Sequence, residues 1–201
     1  ADIGTSGLDV VLELAIGVVT IEYDDAATIA ISDVSGNEGS SGNTLYSFDV
    51  TLTEEIDVPI SVAFTTADGT ATVADADYVP GTGGVTFVAN NGPGPQTQPI
   101  SIFGIGDLKV ELDETFSVLL DSLANGGRDV TLADDAAVAT MLNDDSAVVS
   151  ITDATLTEGD AGSRDLVFAV VLDGEVDTAV QLTATPSGGT AQEGFDFEPG
   201  S

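Results

Sequence analysis

Tyr46-Ser47-Phe48-Asp49-Val50-Thr51-Leu52 decides the fold, because apolar side chains fall at every second position with polar ones between them. Successive side chains on a strand point to opposite faces, so a period of two makes one face for a core and one for water. The alternation returns at Ile60, Val62 and Phe64, with Ser61, Ala63 and Thr65 between them, and again at Phe116, Val118 and Leu120. Shorter apolar runs at 29–31, 85–87, 99–103 and 137–142 bring the expected count to about seven strands. Gly, Asn, Asp and Pro clusters such as 36–43 and 90–95 separate them. No stretch carries an apolar face at helical spacing. Short strands with one apolar face each can bury those faces by packing two sheets together, so the expected fold is all-β, an immunoglobulin-like antiparallel β-sandwich.

Outward from this segment, the sequence matches itself at an offset of about 120 residues. Asp9-Val10 aligns with Asp129-Val130, Asp24-Asp25 with Asp144-Asp145, and Glu38-Gly39 with Glu158-Gly159. The register holds through Phe48/Phe168, Leu52/Leu172 and Asp57/Asp177 to Gly69-Thr70-Ala71/Gly189-Thr190-Ala191; one residue is then lost, and Asp77-Tyr78 meets Asp196-Phe197. Residues 27–145 read as one complete repeat, 1–26 as the C-terminal strands of a preceding copy, and 146–201 as the N-terminal half of a following one. Ends of this kind suggest a segment of a longer tandem array, or a subunit whose incomplete halves are filled by a neighbour's strands.

Composition excludes much. With no His and no Cys the chain cannot form a His/Cys zinc site, a Ser-His-Asp or Cys-His nucleophile, or a disulfide framework. Against 35 acidic side chains stand only Lys109, Arg128 and Arg164, a formal charge of -32 that gives no basic stripe for phosphate and is repelled by anionic lipid. Nucleic acid and membrane are therefore poor partners. Apolar residues make up 42%, more than intrinsic disorder carries, so a packed core is expected despite self-repulsion. Residues 1–30 show no basic segment leading into an apolar run. The stretch 10–21 is broken by Glu13 and Gly17 and is too short to span a bilayer, so no anchor is expected.

The acid gathers at expected strand ends: Glu38, Asp75 and Asp77, the group Asp107, Glu111, Asp113 and Glu114, and Asp144-Asp145. Carboxylates brought together at one pole of a sandwich repel one another unless a cation intervenes, and a hard divalent ion accepting six to eight oxygens suits them. Calcium is the natural candidate. Magnesium keeps its waters and usually takes only one or two carboxylates. The plainer alternative is a solvated acidic coat, with Asp144-Asp145 and Asp24-Asp25 as turns between repeats. Asp134-Asp135 reads as a plain turn, Gly39 as a site of positive φ, and Gly69-Thr70-Ala71 as a bend. A carboxylate-pair glycosidase through Glu111 and Glu114 is set aside, since neither His nor any sign of a large cleft supports it. No enzymatic activity is expected.

In Glu38-Gly39, Asp68-Gly69-Thr70-Ala71 leading to Asp77-Tyr78, Glu111-Leu112-Asp113-Glu114-Thr115-Phe116 and Asn143-Asp144-Asp145, the chain resembles the Calx-beta family of calcium-binding sandwich repeats. That family serves sodium/calcium exchangers, integrin β4 and large bacterial surface proteins. The resemblance implies calcium as the ligand, held by Glu38, Asp77, Asp107, Glu111, Glu114, Asp144 and Asp145. It also has departures. Where calcium-binding members often carry consecutive acids, this chain reads Gly106-Asp107-Leu108-Lys109, and the closing run begins with Asn143 instead of Asp. Fewer or weaker metals are implied. Lys109 either turns away or fills a vacated metal position, and the sequence leaves both open.

The expected function is structural: a calcium-stiffened segment of a large extracellular adhesin or surface filament, with the metal at junctions between repeats. Calcium ions and neighbouring repeats or identical subunits are the expected partners. Two alternatives stand beside it. One is a regulatory calcium sensor, which should adjoin membrane or signalling segments. The other is a filament subunit that polymerises by adding residues 9–25 to the open sandwich begun by 147–201 of the next molecule.

Overall fold

The computed structural model describes residues 17–20 and 24–198, so most of the stretch 10–21 and of the strands expected in 1–26 lies outside the described residues. All regular structure among these residues is strand. In chain order the strands are β1 (Ala26–Ile31), β2 (Val34–Asn37), β3 (Gly42–Leu52), β4 (Ile60–Asp68), β5 (Tyr78–Val79), β6 (Thr82–Phe87), β7 (Gln96–Gly106), β8 (Glu114–Ala124), β9 (Asp129–Asp134), β10 (Ala136–Leu142), β11 (Val148–Ile151) and β12 (Val170–Asp173). β5-β7-β3-β1-β9 form one five-stranded sheet and β2-β10-β8-β4-β6 the other; β11 and β12 form a separate pair. The first two sheets face each other as a β-sandwich.

The alternating segments become the long strands β3, β4 and β8, and the shorter runs become β1, β6, β7 and β10. Three strands, β2, β5 and β9, go beyond the expected set. The chain leaves the first sheet after Ile31, crosses at Ser32-Asp33 and joins the second as β2, so one opening segment serves both sheets, as an inner strand between β3 and β9 in the first and as an edge strand in the second. Asp33 Oδ1 fixes the crossing by accepting the Val138 N–H at 2.8 Å. β1 pairs with β9, and β2 with β10, in parallel, so the sandwich is not purely antiparallel.

Alternation fills the space between the sheets. Tyr46, Phe48, Val50 and Leu52 of β3 are all buried, as are Ile60 and Val62 of β4 and Phe116, Val118 and Leu120 of β8. Phe116 is the centre of an aromatic group: Tyr78 stacks on it at 4.3 Å between ring centroids and 7°, while Tyr46 and Phe48 meet it edge-on at 5.9 and 6.1 Å. Offset stacking and edge contacts satisfy the ring quadrupoles and add to the burial term.

Register brings the acidic loops to one end. Gly42 of β3 is opposite Gly106 of β7, Asp68 of β4 opposite Phe116 of β8, Glu114 of β8 opposite Met141 of β10, and Asn37 of β2 opposite Leu142 of β10. Every loop that leaves from these residues opens at the same pole. Beyond the sandwich, the pairings Ile29↔Leu52 and Ile31↔Val50 between β1 and β3 have counterparts in Val149↔Leu172 and Ile151↔Val170 between β11 and β12. Gly39 and Gly159 take φ of 91° and 89°, a left-handed conformation that favours glycine.

Phe116→Ala should remove the hub of this aromatic group and cost about 3–5 kcal/mol of unfolding free energy. Urea denaturation of the variant checks it, with the midpoint expected to fall at an unchanged slope.

Candidate metal centre

Two neighbours of the stacked rings carry the first acids of the site. Asp77 precedes Tyr78 and Glu114 lies two residues before Phe116, so the stack that orders the core also fixes the spacing of two carboxylates. The bend after β4 contributes as well. Asp68 Oδ1 accepts the Tyr78 hydroxyl at 2.6 Å and the Val73 N–H at 3.2 Å, and Asp77 Oδ2 accepts the Thr72 N–H at 2.6 Å. A Cβ at Gly69 would collide with the Thr115 carbonyl oxygen, so the bend requires glycine. Residues 69–71 act as scaffold, not as ligands.

Asp77, Glu111 and Glu114 each offer a carboxylate oxygen within 4.8 Å of the others. Glu38 stands beside them, only 5% exposed, on the turn after β2. That turn is pinned from the core side: the Tyr46 hydroxyl lies 3.1 Å from both the Gly36 and Asn37 carbonyl oxygens. A Cβ at Gly106 would strike the Gly39 carbonyl oxygen, so glycine at 106 permits the close approach of the two loops. Burial pushes the Glu38 carboxyl up to about 7, with Glu111, Asp107, Asp145 and Asp77 adding repulsion. Burial likewise raises Glu114, followed by repulsion from Asp77 and Glu111.

The remaining expected ligands divide. Asp145 has a buried Oδ2 with no hydrogen-bond partner among the described residues, an acceptor that a cation would satisfy. Asp144 uses its carboxylate otherwise, accepting the Gly39 N–H at 3.0 Å and the Asn37 side-chain amide at 3.3 Å. It ties the closing run to the Glu38 turn. Asp107 Oδ1 accepts the Lys109 N–H at 2.7 Å and shapes its own loop. Asp75 is occupied with Thr72 on the surface.

Three residues matter that the family pattern did not assign. Asn143 is a strut: its Oδ1 accepts the Glu111 N–H at 3.0 Å, its side-chain amide donates to the Asp145 carbonyl at 3.1 Å, and its N–H donates to Asp113 Oδ1 at 3.1 Å. Lys109, open in the sequence, points inward and pairs with Glu111. Asp177, from the segment after β12, reaches Lys109 at 3.2 Å. The Asp57/Asp177 match in the repeat was the only sequence sign of that last residue.

A buried Glu among carboxylates, a three-carboxylate cluster and an orphaned Asp oxygen form an all-oxygen, strongly anionic donor set that suits a hard divalent cation. A β-sandwich with such a centre at the pole where its loops converge is a metal-binding module. The Calx-beta domain pattern matches residues 24–154 and again 142–201, and the chain belongs to that family. Calcium is the family's cation. Among solved structures, the apo-form Calx CBD1 domain is 25% identical with a TM-score of 0.49, over 60% of this chain and 100% of that one. CBD12 from CALX1.2 is 26% identical with a TM-score of 0.44, over 63% of this chain and 49% of that one. The calcium binding domain CBD12 of CALX1.1 is 17% identical with a TM-score of 0.49, over 73% and 70%. No curated protein sequence matches the chain.

The raised carboxyls set a pH dependence. Folded Glu38 binds its proton up to about pH 7 but releases it near 4.5 when unfolded, so between those values the folded state holds more protons. Stability of the metal-free protein should therefore fall as pH rises from about 4.5 to 7. Calorimetric melting in chelator should give a higher Tm at pH 5 than at pH 8, and Glu38→Gln should flatten the trend while raising Tm at pH 8.

Proposed function

We propose that the chain is a structural calcium-binding segment of a large extracellular adhesin or surface filament, in which occupancy of the acidic centre stiffens the junction between consecutive repeats. The observation that carries this is the position of the centre. The loop between β7 and β8 holds Glu111 and also meets the following segment, with the Val110 N–H donating to the Glu175 carbonyl at 2.9 Å and the Asp177 N–H to the Val110 carbonyl at 3.0 Å. Ligand loop and inter-repeat contact are one piece of chain.

Residues 27–145 are the complete repeat in this proposal and 146–201 the first half of the next. The recurring strand register supports the assignment, as does the Gln192 N–H donating to Asp196 at 2.8 Å where Thr72 donates to Asp77. Val149, Ile151, Phe168, Val170 and Leu172 are exposed, while their counterparts Ile29, Ile31, Phe48, Val50 and Leu52 are buried core. Such a face is that of a sandwich awaiting its other strands, supplied by the rest of an array or by an identical subunit.

Glu38, Asp77, Glu111, Glu114 and Asp145 would hold the ion, with Asp107 within reach and Asp144 bracing the closing run. Bound calcium supplies positive charge that removes the carboxylate repulsion at the pole. Ligand binding confined to the folded state stabilises it by RT ln(1 + [Ca]/Kd), about 2.7 kcal/mol at a hundredfold excess over Kd. Outside cells, where calcium is plentiful, even a weak site fills, which fits an extracellular setting. A regulatory sensor would use the same centre. The two roles differ in what occupancy does to the junction: a structural segment keeps its angle and loses its freedom, whereas a sensor changes angle.

Melting in calcium, magnesium and chelator tests the proposal. Calcium should raise Tm well above magnesium at equal concentration. Asp77→Asn combined with Glu114→Gln should abolish most of that shift while the chelator-treated variant melts at or above the wild type. Identical melts in all three conditions would leave only an acidic sandwich.

A further inference from the structure

Lys109 is the single basic side chain at the acidic pole, and it has two partners. Its ammonium pairs with Glu111, a member of the three-carboxylate cluster, and with Asp177 of the following segment at 3.2 Å. The side chain is stretched between a candidate metal ligand and the next repeat. Main-chain bonds on both sides of Val110 hold the two segments in a short parallel bridge with Val176, which fixes Asp177 within reach. Asp177 aligns with Asp57, which has its own partner within its repeat: Arg128 grips both its carboxylate oxygens at 2.6 and 2.7 Å. At equivalent positions, then, one aspartate is paired inside a unit and the other across the junction.

We propose that Lys109 is a tethered counter-cation that competes with calcium for Glu111, and that Asp177 draws it off, so that metal binding and inter-repeat docking reinforce each other. This rests on the calcium reading above. Without metal the ammonium is shared between Glu111 and Asp177 and offsets part of the repulsion at the pole. A divalent ion on Asp77, Glu111 and Glu114 repels the ammonium from Glu111, leaving Asp177 as its partner across the junction. Linkage makes the effect reciprocal: whatever holds Lys109 on Asp177 raises calcium affinity by the factor by which calcium tightens the junction. Lys109 is a positioning residue for the junction, not a ligand.

Calcium titration calorimetry on the full chain, with Lys109→Met, Asp177→Asn and the double variant, tests this, and far-ultraviolet circular dichroism verifies folding. Lys109→Met should raise calcium affinity roughly tenfold, the scale on which one adjacent charge moves a carboxylate's proton affinity. Asp177→Asn should lower affinity by returning Lys109 to Glu111, and the double variant should match Lys109→Met. If Asp177→Asn lowers affinity equally in the Lys109→Met background, Asp177 acts directly and the proposal is wrong. It is also wrong if the wild type binds calcium and Lys109→Met binds no better, an outcome that leaves the calcium site standing. Silence in the wild type with binding in Lys109→Met supports competition; silence in both removes the site and the proposal together.

A second readout follows the junction. The chain has no Cys, so Ser101→Cys and Ser163→Cys place spin labels on exposed residues of the two units. Calcium should narrow the distance distribution in the otherwise wild-type chain and leave it broad with Asp177→Asn. Equal narrowing in both would overturn the role given to Lys109 and Asp177.

Discussion

Carboxylates at the β7–β8 end of the sandwich cannot move apart, because the packing that stabilises the protein is what crowds them. Tyr78 and Phe116 stack in the core, and Asp77 and Glu114 are their near neighbours in sequence. Tyr46, in edge contact with Phe116, pins with its hydroxyl the turn that carries Glu38. To relax the repulsion the chain would have to give up aromatic contacts in its own centre, so the strain is kept and the carboxyls respond by holding protons more tightly. Proton, lysine and divalent cation are then three answers to one electrostatic demand.

The same constraint explains the economy of the loops. Asn143 stands where a further acid would add charge, and its amide instead joins the Glu111 backbone to the Asp145 carbonyl. Asp144 gives both carboxylate oxygens to the Glu38 turn. Neutral amides and the Asp144 carboxylate build the frame around the Asp77, Glu111 and Glu114 cluster, the buried Glu38 and the unpartnered Oδ2 of Asp145. Because the frame joins the end of β10 to the loop ahead of β8, the outlet to the following segment and the ligand loop are mechanically continuous.

Much of this could be read in the chain, and the parts that could not have definite reasons. Period-two alternation found β3, β4 and β8, and shorter apolar runs found β1, β6, β7 and β10, because burial of alternate side chains writes those patterns. Both missed β2, whose Val34-Ser35-Gly36-Asn37 earns its place by main-chain pairing with β10, and the two-residue β5, too short for any period. β9 has a buried Val130 and a half-buried Leu132, but flanking aspartates made it look like a turn. The acidic pole was legible from where the acids fall between strands. Which oxygen is spent on a frame and which stays free was not, since Asp144 and Asp145 are chemically identical and differ only in the hydrogen bonds around them. Lys109 was ambiguous for the same reason. Its direction depends on Asp177, whose position relative to the first unit no local pattern encodes.

A solvated acidic coat and a specific cation site differ in what they require of individual carboxylates. A coat needs charges facing water, and most of the acids satisfy it: Asp49, Glu54, Asp121 and Asp129 are exposed on strand faces and loops. Water screens such charges, and they contribute to solubility wherever they stand. Glu38 does not fit that description. It is 95% removed from solvent, since only 5% remains exposed, and it faces other carboxylates instead of a base. Burying an ionised group without a partner is costly, and a solubility role gives no return for that cost. The basic residues sharpen the contrast. Arg128 clamps Asp57 and Arg164 donates to the Thr157 carbonyl, both away from the pole, so Lys109 alone meets an array of acids there. One ammonium leaves the Asp77, Glu111, Glu114 cluster strongly anionic, and the charge that remains has the sign, the oxygen chemistry and the enclosure that a divalent cation uses.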